Sequence, residues 1–154
     1  NTTVGPRTWE AGYKPAGVII NGKPDIDYGG GVCQVSSTLY NAILLAGLTP
    51  TERTPHFFQS TYIGYGRDAT VADGQIDFKF RNDLPHPVYL TANATGSTLT
   101  VYVLGTKADL NGSDIALEMD GNSLYRVYYQ GGQVVKDEYL HTDQYYSPVT
   151  NETR

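Results

Sequence analysis

Cysteine is almost missing from this chain: Cys33 is the single thiol among 154 residues. One thiol excludes an internal disulfide framework, so packing alone must hold the fold. Basic residues are also few, 11 Lys plus Arg against 16 Asp plus Glu, for a net charge of −5. With no basic run, the charge balance argues against nucleic acid or an anionic membrane as a partner. No apolar stretch approaches the roughly 20 residues that span a bilayer; the longest, near Ala42 to Leu48, fits within a helix. No secretory leader is visible. The opening Asn1-Thr2-Thr3-Val4-Gly5-Pro6 reads like the middle of a domain, which suggests a piece of a longer protein and leaves the compartment open.

Tyrosine and glycine are abundant, 13 and 17 residues, alongside many Thr, Asn and Ser. That composition suits an exported β-rich domain, and in an oxidising compartment a free thiol is a hazard unless buried or used. The length fits one domain with a real core.

Cys33 lies in Gly29-Gly30-Gly31-Val32-Cys33-Gln34-Val35-Ser36-Ser37. Val32, Val35, Leu39, Ile43 and Ala46 recur at helical spacing, which predicts a helix from about Val32 to Ala46 ended by Gly47. Cys33 then falls in the first turn, where unpaired N–H groups and the helix dipole favour thiolate over thiol. A thiolate there is a candidate nucleophile for acyl transfer. A lone cysteine is more ordinarily a small buried apolar residue. Here the glycine run brings the two readings level.

The rest of the chain reads as β. Ala16 to Ile20 predicts a strand followed by an Asn21-Gly22 turn. Ile76, Phe78 and Phe80 alternate with charged residues, and Pro87 to Leu90 leads through Ala94-Thr95-Gly96-Ser97 into Leu99, Val101 and Val103. Asp109 to Asn122 reads as polar and turn-rich, and Tyr125 to Tyr139 as a hairpin around Gly131-Gly132. The expected architecture is α+β. An antiparallel meander packs on one central helix that starts at the glycine-rich cysteine motif, with a C-terminal hairpin added. Residues 1–106 form the core in this reading and 107–154 an extension of the same domain.

Several motifs together resemble the VanW-like domain. They are Thr3-Val4-Gly5-Pro6-Arg7-Thr8, the block from Gly29 to Ala42, Pro55-His56, Gly66-Arg67-Asp68-Ala69-Thr70-Val71, and Asp77-Phe78-Lys79-Phe80-Arg81-Asn82. The likeness runs from the N-terminus to about Gly105. It implies an exported or membrane-tethered, cell-wall-associated protein of Gram-positive bacteria, from a family named after a glycopeptide-resistance gene cluster. For some members it implies L,D-transpeptidase activity on peptidoglycan stem peptides through a cysteine nucleophile. No cofactor is implied.

On this reading Cys33 is the nucleophile and His56, in the family's Pro-His motif, the base. His86, between two prolines, and His141, outside the matched region, are expected at the surface. Asp68 is the expected orienting carboxylate, with Asp73 and Asp77 as alternatives. Arg67 either pairs with Asp68 or binds a substrate carboxylate. Oxyanion donors are expected from the backbone of Cys33 and Gln34 beside Gly31. Ser36 is a candidate substrate contact, although hydrogen bonds back to the helix are the commoner use of such a serine. Tyr62 and Tyr65 could line a cleft. One cysteine and three scattered histidines give no ligand pair at zinc-site spacing. Two other functions compete: a cysteine peptidase or amidase on stem peptides, and a non-catalytic wall-binding module with Cys33 merely packed.

Overall fold

The computed structural model describes residues 1–20 and 23–147. In chain order the elements are β1 (Pro15–Ile20), β2 (Lys23–Tyr28), α1 (Val32–Leu45), β3 (Thr49–Glu52), β4 (Lys79–Arg81), β5 (Tyr89–Thr95), β6 (Thr98–Leu104), β7 (Asp114–Asp120), β8 (Ser123–Gln130) and β9 (Gln133–Thr142), with one 3₁₀ turn at Lys107–Leu110. The class is α+β, but there is no single meander. Among the described residues the strands form three antiparallel pairs, β1–β2, β3–β4 and β5–β6, and one three-stranded sheet, β7–β8–β9. The expected Asn21-Gly22 turn lies outside the described residues.

α1 starts where the glycine run ends. Gly31 sits at φ 85°, and its carbonyl accepts from the N–H groups of Gln34 (3.0 Å) and Val35 (3.2 Å). Three hydroxyls follow at positions that disfavour helix, and each bonds back along it. Ser36 and Ser37 donate to the Cys33 carbonyl (3.1 and 2.7 Å), and Thr38 to that of Gln34 (2.8 Å). The competition these side chains would offer is thereby turned inward. At the other end Gly47, at φ 77°, donates to Leu44 O, and Leu48 donates to Ile43 O. This Schellman arrangement closes the helix and drives Leu48 into the core beside Ile43.

That core is Tyr40, Ile43, Leu44 and Leu48 from α1 and its exit, with Ala69 and Leu124. Tyr40 meets Phe78 edge to face at 5.6 Å. Leu124 comes from β8, so the last sheet shares the core of the helix. Arg126, also on β8 and only 3 % exposed, reinforces this. Its guanidinium donates to the α1 carbonyl of Leu44 (3.3 Å) and to Leu48 O (2.7 Å), and it pairs with Glu138 (3.0 Å). A cation on the last carbonyls of a helix suits both its dipole and its unpaired acceptors.

Two strand expectations need correction. The alternation from Ile76 to Phe80 yields only the short β4, because the Asp77 carboxylate takes the Phe78 N–H (2.9 Å) and Ile76 turns back on Ala72. Asp109 to Asn122 contains β7, not only turns. There Ile115, Leu117 and Met119 alternate with Asp114, Ala116, Glu118 and Asp120, and Leu117 packs on the core. The β8–β9 hairpin is present, turning at Gly131 and Gly132 with φ of 57° and 80°.

Candidate active site

The first turn of α1 is pressed against the loop at residues 68–71. Ser37 Oγ accepts from the Ala69 N–H (2.9 Å), while Ser36 Oγ donates to Ala69 O (2.5 Å). Cys33 lies next to Val71: the thiol donates to Val71 O (3.3 Å), and Sγ accepts from the Val71 N–H (3.5 Å). Gly30 makes this seat close-fitting. A Cβ there would stand 2.5 Å from the Ala16 Cβ and 2.7 Å from the Ala16 carbonyl carbon.

His56 enters from the loop after β3. Its Nδ1 lies 2.5 Å from Asp68 Oδ2, and its backbone N–H donates to the same oxygen at 2.7 Å. With Nδ1 held by the carboxylate, Nε2 remains for the sulfur. Burial works against charge on His56, but hydrogen bonds to Asp68 and to Cys33 prevail and hold its pKa up at about 9. Burial likewise opposes the Cys33 thiolate. The His56 hydrogen bond, the Val71 N–H and the charges of His56 and Arg7 outweigh it and lower the thiol pKa. The two shifts run in opposite directions, the imidazole up and the thiol down, which is the sense that favours moving the proton from sulfur to ring.

Asp68 is 1 % exposed, and its two oxygens have different partners. Oδ2 serves His56. Oδ1 accepts from Arg53 Nη2 (2.9 Å) and from the Tyr145 hydroxyl. Burial alone would raise its pKa, yet the bonds from His56 and Tyr145 and the Arg53 charge hold it below the usual carboxylate range. Arg53 also donates from Nε to Asp68 O (2.7 Å) and from Nη1 to Asp143 Oδ1 (2.6 Å). The result is a hydrogen-bonded line from Asp143 through Arg53 and Asp68 to His56, with Cys33 on the far side of the imidazole.

The structure therefore brings Cys33, His56 and Asp68 together and leaves other expected residues elsewhere. Asp73 pairs with Arg7 (3.4 Å) and Asp77 accepts from the Phe78 N–H (2.9 Å). Arg67 does not pair with Asp68. Its Nε donates to Asn41 Oδ1 (2.6 Å) and its carbonyl accepts from Asn41 Nδ2 (2.7 Å), which ties it to α1. Gln34 offers no oxyanion donor, since Gly31 O takes its N–H. The Cys33 N–H, in the first turn of α1, has no protein partner among the described residues. Ser36 is buried, with its hydroxyl committed to two carbonyls, so it holds the cysteine turn and does not face a substrate. Tyr62 stands edge-on to His56 at 6.2 Å, whereas Tyr65 packs on Tyr145. His86 is exposed on Asp109, but His141 is not a surface residue. Its ring nitrogens contact Tyr40 Oη (2.7 Å) and Asp143 (3.3 Å).

Sequence reasoning missed Arg53, Asp143 and Tyr145. Arg53 stands three residues before His56, which was a usable signal. The other two lie ninety residues downstream, and no local pattern connects them to the site.

A family model described as VanW like protein matches residues 1–104, two-thirds of the chain. The chain belongs to the VanW-like family. It is 43 % identical over 101 residues to "Uncharacterized protein YoaR" of Bacillus subtilis (strain 168), covering 66 % of this chain and 33 % of that protein. It is 39 % identical over 77 residues to "Vancomycin B-type resistance protein VanW" of Enterococcus faecalis (strain ATCC 700802 / V583), covering 46 % of this chain and 28 % of the relative. The chain thus spans a third or less of these curated relatives. No solved structure matches it. The VanW-like match includes Cys33, His56, Asp68 and Arg53 and stops before Asp143 and Tyr145. Among the described residues no cluster of His, Cys, Asp and Glu could hold a metal, and no helix is long and apolar enough to cross a membrane.

Proposed function

We propose that this VanW-like domain is a cysteine acyltransferase of the cell wall, an L,D-transpeptidase acting on peptidoglycan stem peptides. One observation carries the reading: a half-buried thiol at a helix start, near enough to His56 for each to shift the other's titration, with the imidazole Nδ1 held by a buried carboxylate. That is the nucleophile, base and orienting group that acyl transfer requires. The vancomycin-resistance name of one relative supports a wall substrate.

In the forward step the Cys33 thiolate attacks the carbonyl of the stem-peptide diamino-acid residue. The tetrahedral oxyanion lies against the Cys33 N–H at the start of α1. The C–N bond to the terminal D-alanine breaks, and imidazolium Nε2–H of His56 protonates the departing amine. A thioester to Cys33 remains, with neutral His56. An amine from a second stem then attacks the thioester, His56 Nε2 takes its proton, and the thiolate leaves to restore the ion pair. Asp68 keeps Nδ1 protonated throughout, so Nε2 is the nitrogen that exchanges protons. The domain acts outside the cell on this reading, tethered through parts of the longer protein.

Intact-protein mass spectrometry with a peptidoglycan tetrapeptide fragment tests the proposal. The expected adduct on the wild type equals the donor minus D-alanine and is absent from Cys33→Ala. Released D-alanine with water as the only acceptor, even in excess amine, would replace the transferase by a hydrolase. A folded protein with neither adduct nor turnover would leave a binding module.

A further inference from the structure

Past β9 the chain leaves its sheet and crosses the loop that carries His56. Tyr146 N–H donates to Phe57 O (2.9 Å), and the two rings stack at 4.3 Å. Asp143, 5 % exposed, holds Arg53 Nη1, while Tyr65 Oη donates to the Asp143 carbonyl at 3.0 Å. The Tyr145 hydroxyl accepts from the Gly66 N–H (3.2 Å) and gives its proton to Asp68 Oδ1, the nearer of its two carboxylate neighbours. Three of the four residues 143–146 thus fasten the loop of His56, the loop of Asp68 and the arginine between them.

A second buried carboxylate beside Asp68 costs solvation, and packing alone does not require one. Its effect is on how Arg53 is shared. Left with Asp68 alone, a guanidinium favours two parallel bonds to both carboxylate oxygens. That fork would take Oδ2 from His56. With Nη1 engaged by Asp143 and Nε on the Asp68 backbone carbonyl, Arg53 presents only Nη2 to the carboxylate, at Oδ1. Tyr145 fills the remaining site on the same oxygen. We propose that residues 143–146 form a positioning strap, in which Asp143 and Tyr145, acting through Arg53 and Asp68, reserve Oδ2 for His56 and so complete the active site from beyond the VanW-like match. The inference rests on Cys33, His56 and Asp68 acting as one unit, and not on which acyl group they transfer.

Cys33 is the single cysteine, so its alkylation by iodoacetamide reports the site without any substrate. The groups facing the pair are Asp68, Ser60 on Nδ1 (3.1 Å), Tyr62, Arg7, and behind them Arg53, Tyr145, Asp143, His141 and Tyr40. Rates across pH 4–10 are measured for the wild type, Tyr145→Phe and Asp143→Asn, all as the full chain, with unfolding midpoints alongside. In both variants the lower inflection is expected to rise toward that of an ordinary thiol and the upper to fall toward that of an ordinary histidine. Alkylation at pH 6 is expected to slow roughly tenfold, the size of one charged hydrogen bond. Should one variant fail to fold, the other carries the test. Lower midpoints with unmoved inflections would make the strap structural only and overturn the inference. So would a raised upper inflection, since Tyr145 would then be competing with His56 for Asp68 and not aiming it. A wild type with one ordinary thiol inflection would overturn the reading of the three residues as a unit, and this inference with it.

Discussion

Replacing Cys33 with Ala should change how stability depends on pH, and the sign follows from counting protons. In the unfolded chain histidine titrates near 6.5 and cysteine near 8.5. In the folded protein His56 is raised to about 9 and Cys33 is lowered. Above about pH 6.5, where the folded thiol has passed its proton to the ring and the unfolded chain still keeps its thiol proton, each state holds one proton, on sulfur when unfolded and on imidazole when folded. Equal proton counts give no slope. In Cys33→Ala the sulfur is gone, and the unfolded chain gives up its imidazole proton near 6.5 while the folded one keeps it. The folded state then binds more protons, so stability falls as pH rises through that window. The Asp68 hydrogen bond is the largest single cause that raises His56, and it survives the substitution, so part of the elevation is retained. Stability is expected to fall by about 1.4 kcal/mol for each whole pH step between about pH 6.5 and the pKa that His56 retains. Urea unfolding of both proteins at half-unit steps measures it, and the difference between the curves cancels every group they share. Parallel curves would show that Cys33 and His56 do not exchange a proton, and the ion pair would have to be abandoned.

Two further outcomes follow from the same geometry. Asp68→Asn presents an amide N–H₂ either to His56 or to Arg53 and Tyr145, so His56 loses its fixed tautomer. Acyl-enzyme formation is expected to drop by about 10²–10⁴-fold, with the folded signal retained, and a rate within threefold of wild type would remove Asp68 from the mechanism. Gly30→Ala cannot fit without moving β1, because its new Cβ meets the Ala16 backbone. A stability loss of about 1–3 kcal/mol is expected together with altered Cys33 alkylation, and a neutral result on both would show that the cysteine turn is not seated on β1.

What the sequence disclosed depended on how local the signal was. The helix was legible because Gly31 and Gly47 bracket an apolar stripe, and both glycines do at the backbone what the pattern requires. Cys33 was legible for the same reason, standing three residues after Gly30 at a helix start. β7 was not, since Asn111-Gly112-Ser113 and Gly121-Asn122 surround it with turn chemistry and hide the alternation of Ile115, Leu117 and Met119. The Arg67–Asp68 pair, one of two expected roles for Arg67, does not form because adjacency in sequence is not adjacency in space. In an extended turn successive side chains diverge, so Arg67 goes to Asn41 on α1 while Asp68 faces the other way, to Arg53.

The same distinction explains why the site is divided across the chain. A nucleophile and its base can be set by short loops, as Cys33 and His56 are, because each needs one backbone conformation and one neighbour. A buried carboxylate that must aim one oxygen at an imidazole needs its other oxygen occupied and its charge balanced. Those partners have to arrive from another direction. In this fold the available direction is the end of β9, since β8 and β9 are already fixed to α1 through Leu124 and the Arg126 guanidinium on the Leu44 and Leu48 carbonyls. The sheet that looks like an appendage in sequence is thus anchored to the helix that carries Cys33, and Asp143 and Tyr145 inherit their aim from that anchorage.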